Sequence, residues 1–270
     1  MKLFAVVPAT QYKSYVYLFG VRIFVFFKFH NLIKILLYKL YRKKRTAHTV
    51  CYTYQSVGYD NLIQHMYICP DWDYVCFTNN PKLLKHKFIG IWKIEPTRCS
   101  LFDSKRNSGW HKTHPDELFP AYDDSIWIDG NINILSPWLF KLVKNTKSAI
   151  LTTKHDIRDC VYDEIDTVCN LGYDSIKNCE SIKNFLKKEK MPKHYGLNET
   201  GVMYRKHDNN LVRKIDNMWW NMIANYSKRD QLSFTYVLWK NNVKVNDISM
   251  PNVRKNSHNF LIYSHKKHHN

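Results

Sequence analysis

Residues 15–41 (YVYLFGVRIFVFFKFHNLIKILLYKLY) are rich in aromatic and aliphatic positions, but Arg22, Lys28, Lys34 and Lys39 interrupt them. No run reaches the ~18 apolar residues of a membrane-spanning helix, and charges at that spacing are costly inside hydrocarbon. From Phe27 to Tyr41 the apolar positions share one broad helical face, with Lys28, Lys34 and Lys39 at its border, where long side chains snorkel. This pattern fits a helix lying in a membrane interface, or one packed on the rest of the chain. Arg42-Lys43-Lys44-Arg45 closes the stretch, so residues 1–46 read as a basic amphipathic segment.

Beyond residue 47 the pattern alternates between short β-rich runs and helical periodicity. Val50–Tyr54, Tyr74–Thr78 and Phe88–Ile94 predict strands, being β-branched and aromatic. Ser125–Asp129 (SIWID) is a strand that stops at an Asp-Gly turn signal, and Ala149–Thr153 and Val202–Arg205 are two more. Ser136-Pro137 opens a helix. Helices are also predicted over 159–170, 175–190, 211–226 and from Asp230 to Lys240. Strands alternating with helices predict an α/β fold with a mostly parallel sheet over 47–250, followed by a basic, His-rich tail over 251–270. Ligands of such sheets bind at the carboxyl ends of strands, so Asp129 is expected at that rim.

Composition adds a compartment and a direction of charge. Apolar residues are 44% of 270, enough for a sizeable core. The net charge is +18, and residues 1–46 hold ten Lys or Arg and no acid. Concentrated there, the excess points to an anionic membrane surface rather than to nucleic acid, and no aromatic-interleaved basic stripe of a single-strand binder is present. Seven cysteines form no CxxC pair and no zinc spacing, which predicts reduced thiols in a reducing compartment. No secretory signal is expected, and the protein is expected in the cytoplasm, peripheral to the inner face of the membrane.

Candidate chemistry centres on Asp129-Gly130-Asn131. Two oxygen-bearing side chains two residues apart, on a turn leaving a strand, can reach one hard cation such as Mg²⁺ or Mn²⁺. A divalent ion of that kind offsets charge on a departing diphosphate. Basic Arg106–His114 lies upstream, with Arg106 and Lys112 able to reach a diphosphate. His155-Asp156-Ile157-Arg158 follows the next strand onto the same rim, and Arg229-Asp230-Gln231 opens the last helix. Trp219-Trp220 belongs either to the core or to the wall of an acceptor cleft.

Several longer motifs occur in one order: Gly58-Tyr59-Asp60, Asp71-Trp72-Asp73-Tyr74-Val75-Cys76-Phe77-Thr78, Lys112, Leu118-Phe119-Pro120 and Ser125 to Ile132. They continue with His155, Arg158 to Glu164, Gly196-Leu197-Asn198-Glu199 and Arg229 to Phe234. In these the chain resembles a family long known as a domain of unknown function, which includes bacterial capsule and lipopolysaccharide glycosyltransferases and plant Golgi turgor-defect proteins. The resemblance covers roughly residues 50–240. It implies a GT-A-like, Rossmann-type sheet that binds a nucleotide sugar. By the same resemblance Asp129 is the metal-binding acid with Asn131 its partner. Lys112, His155 and Arg158 serve the donor, Glu199 is the acid of a G-L-x-E motif, and Asp230 and Gln231 are a late pair that meets donor or acceptor sugar. Val57 and Asn79 depart from the family pattern, standing where a glycine and an aspartate are usual.

The expected reaction transfers a sugar from a nucleotide-sugar donor to a saccharide or lipid-linked saccharide acceptor, with Asp230 or Glu199 handling the attacking hydroxyl. The sequence does not choose between inversion and retention. A membrane-lipid hydrolase and a non-catalytic basic binding module are the competing readings. The first needs more metal ligands than one Asp-x-Asn pair, and the second needs salt-sensitive binding without a donor.

Overall fold

A computed structural model describes residues 4–10, 13–18, 21–25, 27–43, 46–58 and 61–264, with side chains from residue 32 onward. Lys44, Arg45, Tyr59, Asp60 and the His265–His269 cluster lie outside the described residues.

The chain opens with an antiparallel three-stranded sheet: β1 (Phe4–Thr10), β2 (Lys13–Leu18) and β3 (Val21–Val25). Helix α1 (Phe27–Arg42) follows. Among the described residues of the opening segment, the helical part is therefore α1 alone. The β-branched and aromatic residues of these three segments take the strand conformation that such residues favour. α1 is docked on the domain by one face. Tyr38 is buried and donates to the Trp72 carbonyl, Lys34 donates to the Met66 carbonyl, and Arg42 pairs with Asp73 at 3.2 Å. Leu32, Ile33, Leu36, Leu37 and Leu40, on the other face, are each more than half exposed. No described helix is long and apolar enough to cross a membrane.

The main domain then runs β4 (Thr49–Gln55), β5 (Asp73–Thr78), α2 (Pro81–Leu84), β6 (Phe88–Ile89), β7 (Trp92–Pro96), α3 (Ser104–Thr113), α4 (Pro115–Leu118), β8 (Asp124–Ile128) and β9 (Ile132–Ile134). Next come α5 (Trp138–Asn145), β10 (Ile150–Lys154), α6 (Val161–Asn170), α7 (Ile176–Lys188) and β11 (Asn198–Lys206). α8 (Asn210–Asn225), α9 (Gln231–Lys240), β12 (Ser249–Met250) and β13 (Phe260–Ile262) complete it. Eight strands form one sheet in the order β12-β10-β11-β8-β4-β5-β7-β6. β4 is parallel to both β5 and β8, β5 to β7 and β10 to β12, while β11 is antiparallel between β8 and β10. This is the α/β, mostly parallel sheet that the alternating pattern predicts.

Every residue of β5, and all of β4 after Thr49, is buried, as expected for strands covered on both faces. α6 to α9 pack one face and α1 and α5 the other. The expected single strand over 88–94 is instead the hairpin β6–β7. It turns at Gly90, whose φ of 61° suits glycine and whose Cα faces the Gln64 side chain, leaving no room for a Cβ. The expected tail is shorter than residues 251–270. Val253 and Phe260 are buried, and β13 pairs with β9, so the chain belongs to the domain at least to Ile262.

Two core histidines give the fold a pH dependence. His65 is 1% exposed and burial lowers its pKa to about 3. His111 is fully buried, and burial lowers its pKa to about 4 while it bonds Asn107 and the Arg98 amide as a neutral ring. The unfolded chain takes up protons near 6.5 that the folded one refuses. The stabilisation is therefore complete above pH 6.5 and is lost as pH falls, by about 1.4 kcal/mol per pH unit for each ring. Urea denaturation at pH 7 and pH 5 is expected to show this drop, and a His65→Gln variant about half of it.

Candidate active site

The carboxyl ends of β4, β8 and β10, the strand β11, and the first turns of α3 and α9 enclose a cavity of about 700 Å³. That is the size of a small-ligand site, at the strand ends where parallel sheets bind ligands. Gln55 and Ser56 leave β4 into it. Asp129, Gly130 and Asn131 leave β8, and His155 to Arg158 leave β10. Glu199 and Thr200 come from β11, Ser104 and Lys105 from α3, and Arg229, Asp230 and Gln231 from the start of α9.

Asp230 lines the cavity, and Lys112, which does not, lies behind it. The Lys112 ammonium is 4% exposed; it donates to Asp230 Oδ2, lies 3.3 Å from Thr200 Oγ1 and 3.5 Å from Asp129 Oδ1. Trp127 and Trp219 present ring faces to it at 5.3 and 6.0 Å. Asp230 caps α9 through the Gln231 amide and also accepts from Thr200 at 3.1 Å. Burial opposes its ionisation, but the Lys112 and Lys105 ammoniums outweigh this and hold its carboxyl well below the usual range. An acid held so far down is a weak base. In this structure the Asp230 carboxylate is held by Lys112 and Thr200.

Asp129 and Asn131 both line the cavity, and both are already engaged. Asp129 Oδ1 accepts from the Trp127 indole at 2.7 Å, and Oδ2 rests against Gly201, where an added Cβ would sit at 3.2 Å. Asn131 gives its amide to the Tyr263 carbonyl at 3.0 Å. Among the described residues there is no group of three or more His, Cys, Asp or Glu side chains placed to hold a metal ion. One carboxylate can suffice for Mg²⁺ when a substrate supplies phosphate oxygens. Here that carboxylate is shared with an indole and stands beside an ammonium of like charge to the metal. The donor set expected for a divalent cofactor therefore does not fit one well.

The other predicted residues divide. His155 lines the cavity, but its Nδ1 accepts the backbone N–H groups of Ile157 and Arg158 at 3.2 and 2.9 Å. Burial lowers its pKa against the pull of Glu164, so the ring is neutral with its proton on Nε2. His155 builds the loop that carries Arg158, whose Nε lies 2.5 Å from Glu164. Glu199 meets Arg254 through both oxygens at 3.2 Å, and that arginine is 59% exposed. Arg106, expected at the donor, is turned away. It holds Asp103 and the carbonyls of Ile223 and Tyr226, and does not line the cavity. Trp219 is a fully buried core residue and Trp220 packs on Phe102 and His114. Asn79 anchors the Val57 amide after β4.

Lys105 and Tyr173 are cavity residues that the motifs do not single out. The start signal Asp103-Ser104 points to Lys105, since a helix beginning there turns its first residues toward the sheet rim. Tyr173 follows α6, is 55% exposed, and lies under the Arg229 guanidinium at 5.4 Å.

The cavity at the strand ends of this α/β sheet is polar and carries the cations Lys105, Arg158, Arg229 and Arg254. The sequence model of the TOD1/MUCI70 glycosyltransferase-like domain matches residues 74–265, and the chain belongs to that family. No curated protein matches the sequence. Similar solved structures include the apo bifunctional glycosyltransferase WbbM, at 11% identity and a TM-score of 0.41 over 77% of this chain. This chain spans 39% of WbbM. Another is apo mouse xyloside xylosyltransferase 1, at 9% identity and a TM-score of 0.40, with 73% of this chain and 83% of that one covered. Likenesses this distant add nothing to the family match.

Proposed function

We propose that the protein transfers a sugar from a nucleotide-sugar donor to a saccharide or lipid-linked saccharide acceptor of a surface polysaccharide, capsule or lipopolysaccharide. The observation that carries the donor part is the cavity itself. Glycosyltransferase-family motifs converge on it from four separate segments, around Asp129, His155, Glu199 and Asp230. The surface-polysaccharide acceptor rests on the sequence resemblance alone.

In the reaction the bond from the sugar's anomeric carbon to the diphosphate breaks and a bond to the acceptor oxygen forms. Cations at the β4–β8–α3 side of the cavity stabilise the departing diphosphate. Of the two carboxylates expected to handle the acceptor proton, Glu199 suits the task. It faces the cavity and its partner Arg254 is exposed, whereas Asp230 is fixed to Lys112.

A thermal-shift screen of nucleotide sugars tests the reading. The cognate donor at a hundred times its Kd is expected to stabilise the fold by about 2.7 kcal/mol. Stabilisation by none of them, with release of fatty acid or headgroup from phospholipid instead, would favour the hydrolase reading.

The exposed leucines of α1 and the ten bases of residues 1–46 support work at an anionic membrane surface. Flotation with phosphatidylglycerol vesicles is expected to carry the protein, and Leu36→Glu with Leu37→Glu to abolish it. Equal flotation of the variant would contradict membrane contact by α1.

A further inference from the structure

The cations of the cavity differ in how far they are committed. Lys112, behind the cavity wall, is held by Asp230, Thr200 and Asp129. Arg158 and Arg254 are each paired with a carboxylate, Glu164 and Glu199. Lys105 is different. Its side chain lines the cavity, yet among the described residues it makes no hydrogen bond or ion pair. It lines the cavity together with Asp129, Arg229 and Asp230, and the charges of Asp230, Asp129, Arg229 and Lys112 all act on it. Burial lowers its pKa while the two aspartates oppose that. It is a partly dehydrated cation, the state in which attraction to an anion is least screened. Arg229 also lines the cavity, and its Nε is buried without a hydrogen-bond partner while its guanidinium rests on Tyr173. A buried donor left unmade is costly unless a ligand completes it.

The expected alternative, a divalent ion on Asp129 and Asn131, meets a carboxylate already bonded to Trp127 and 3.5 Å from the Lys112 ammonium. We propose that Lys105 and Arg229 hold the two phosphates of a nucleoside diphosphate directly, without a metal bridging them to Asp129. The proposal rests on the nucleotide-sugar reading above. It assigns Lys105 and Arg229 to the leaving group, and gives Asp129 the task of fixing Lys112 and Trp127.

Calorimetric titration of the full chain with UDP, GDP, ADP and dTDP, first in EDTA and then with Mn²⁺, tests it. The nucleotide that binds best is expected to bind in EDTA within about threefold of its affinity with Mn²⁺. Lys105→Ala should weaken it by about tenfold or more, equivalent to 1.4 kcal/mol. Lys105→Arg should restore most of the affinity, and an unchanged melting temperature should show the fold intact. Should Lys105→Ala fail to fold, Lys105→Gln and Arg229→Gln serve in its place. Binding only with Mn²⁺, or undiminished binding by the Lys105 and Arg229 variants, would overturn the metal-free seat and leave the donor reading standing. No binding of any nucleotide in either buffer would overturn both.

Discussion

Lys112→Met is expected to cost about 3–5 kcal/mol of stability, the range for removing one partner of a buried ion pair. The Lys112 ammonium is 4% exposed and the Asp230 side chain 13%, so neither charge can turn to water when the other is removed. Losing the ammonium leaves the Asp230 carboxylate with only Thr200 and the Gln231 amide as hydrogen-bond partners, and Asp129 loses the ammonium 3.5 Å away. Transfer activity is expected to vanish with it. Lys112→Met combined with Asp230→Leu should be less destabilised than the two single changes added together, because both buried charges go. The sign of the pH dependence follows from the depressed carboxyl. Asp230 gives its full contribution above the unfolded value of 3.8 and loses it as pH falls toward the folded value. The gap in urea midpoint between wild type and Asp230→Asn should therefore be widest above about pH 4 and narrow in acid. A constant gap would mean that the pair is not ionic.

Glu199→Gln is expected to lower kcat by roughly 10²–10⁴, the usual worth of general acid–base catalysis, with nucleotide affinity unchanged. The glutamine keeps the shape and can still accept a hydrogen bond from Arg254, so the fold should not suffer. It cannot take up the acceptor proton. Asp230→Asn is the control: it should lower stability and donor affinity together, since its neighbour is Lys112. If Glu199→Gln turns over normally, Glu199 only fixes Arg254, and transfer proceeds without a protein base at that position.

Much of the site was legible because its residues sit at element boundaries that sequence marks clearly. The SIWID run ending at Asp-Gly placed Asp129 on the rim, and Asp230 before an apolar helix placed it at an N-cap. The roles within the site were less legible. The motifs name both Lys112 and Asp230, but the charges of two buried residues bond each other before they meet a ligand. The basic run at Arg106 hid helix α3. Its polar residues and central Gly109 give little helical periodicity, and what holds it is the close approach of Gly109 to Ile223 on α8. In that helix Arg106 turns back to Asp103 while its neighbour Lys105 faces the cavity, a difference of one position that composition does not carry. Periodicity likewise missed the three strands before α1, whose aromatic and β-branched residues satisfy strand and helix patterns about equally well. The β9–β13 pair joins segments far apart in the chain, a contact that no local pattern announces.

The central claim is that this cavity binds a nucleotide sugar and passes its sugar on. The most direct measurement is release of free nucleoside diphosphate from a panel of nucleotide sugars, with and without saccharide acceptors, by wild type and Glu199→Gln. The account predicts that one donor releases its nucleoside diphosphate together with a product heavier than the acceptor by one sugar, and that Glu199→Gln loses this while still binding the donor. Absence of nucleoside diphosphate with every donor and acceptor, alongside a folded protein, would contradict it.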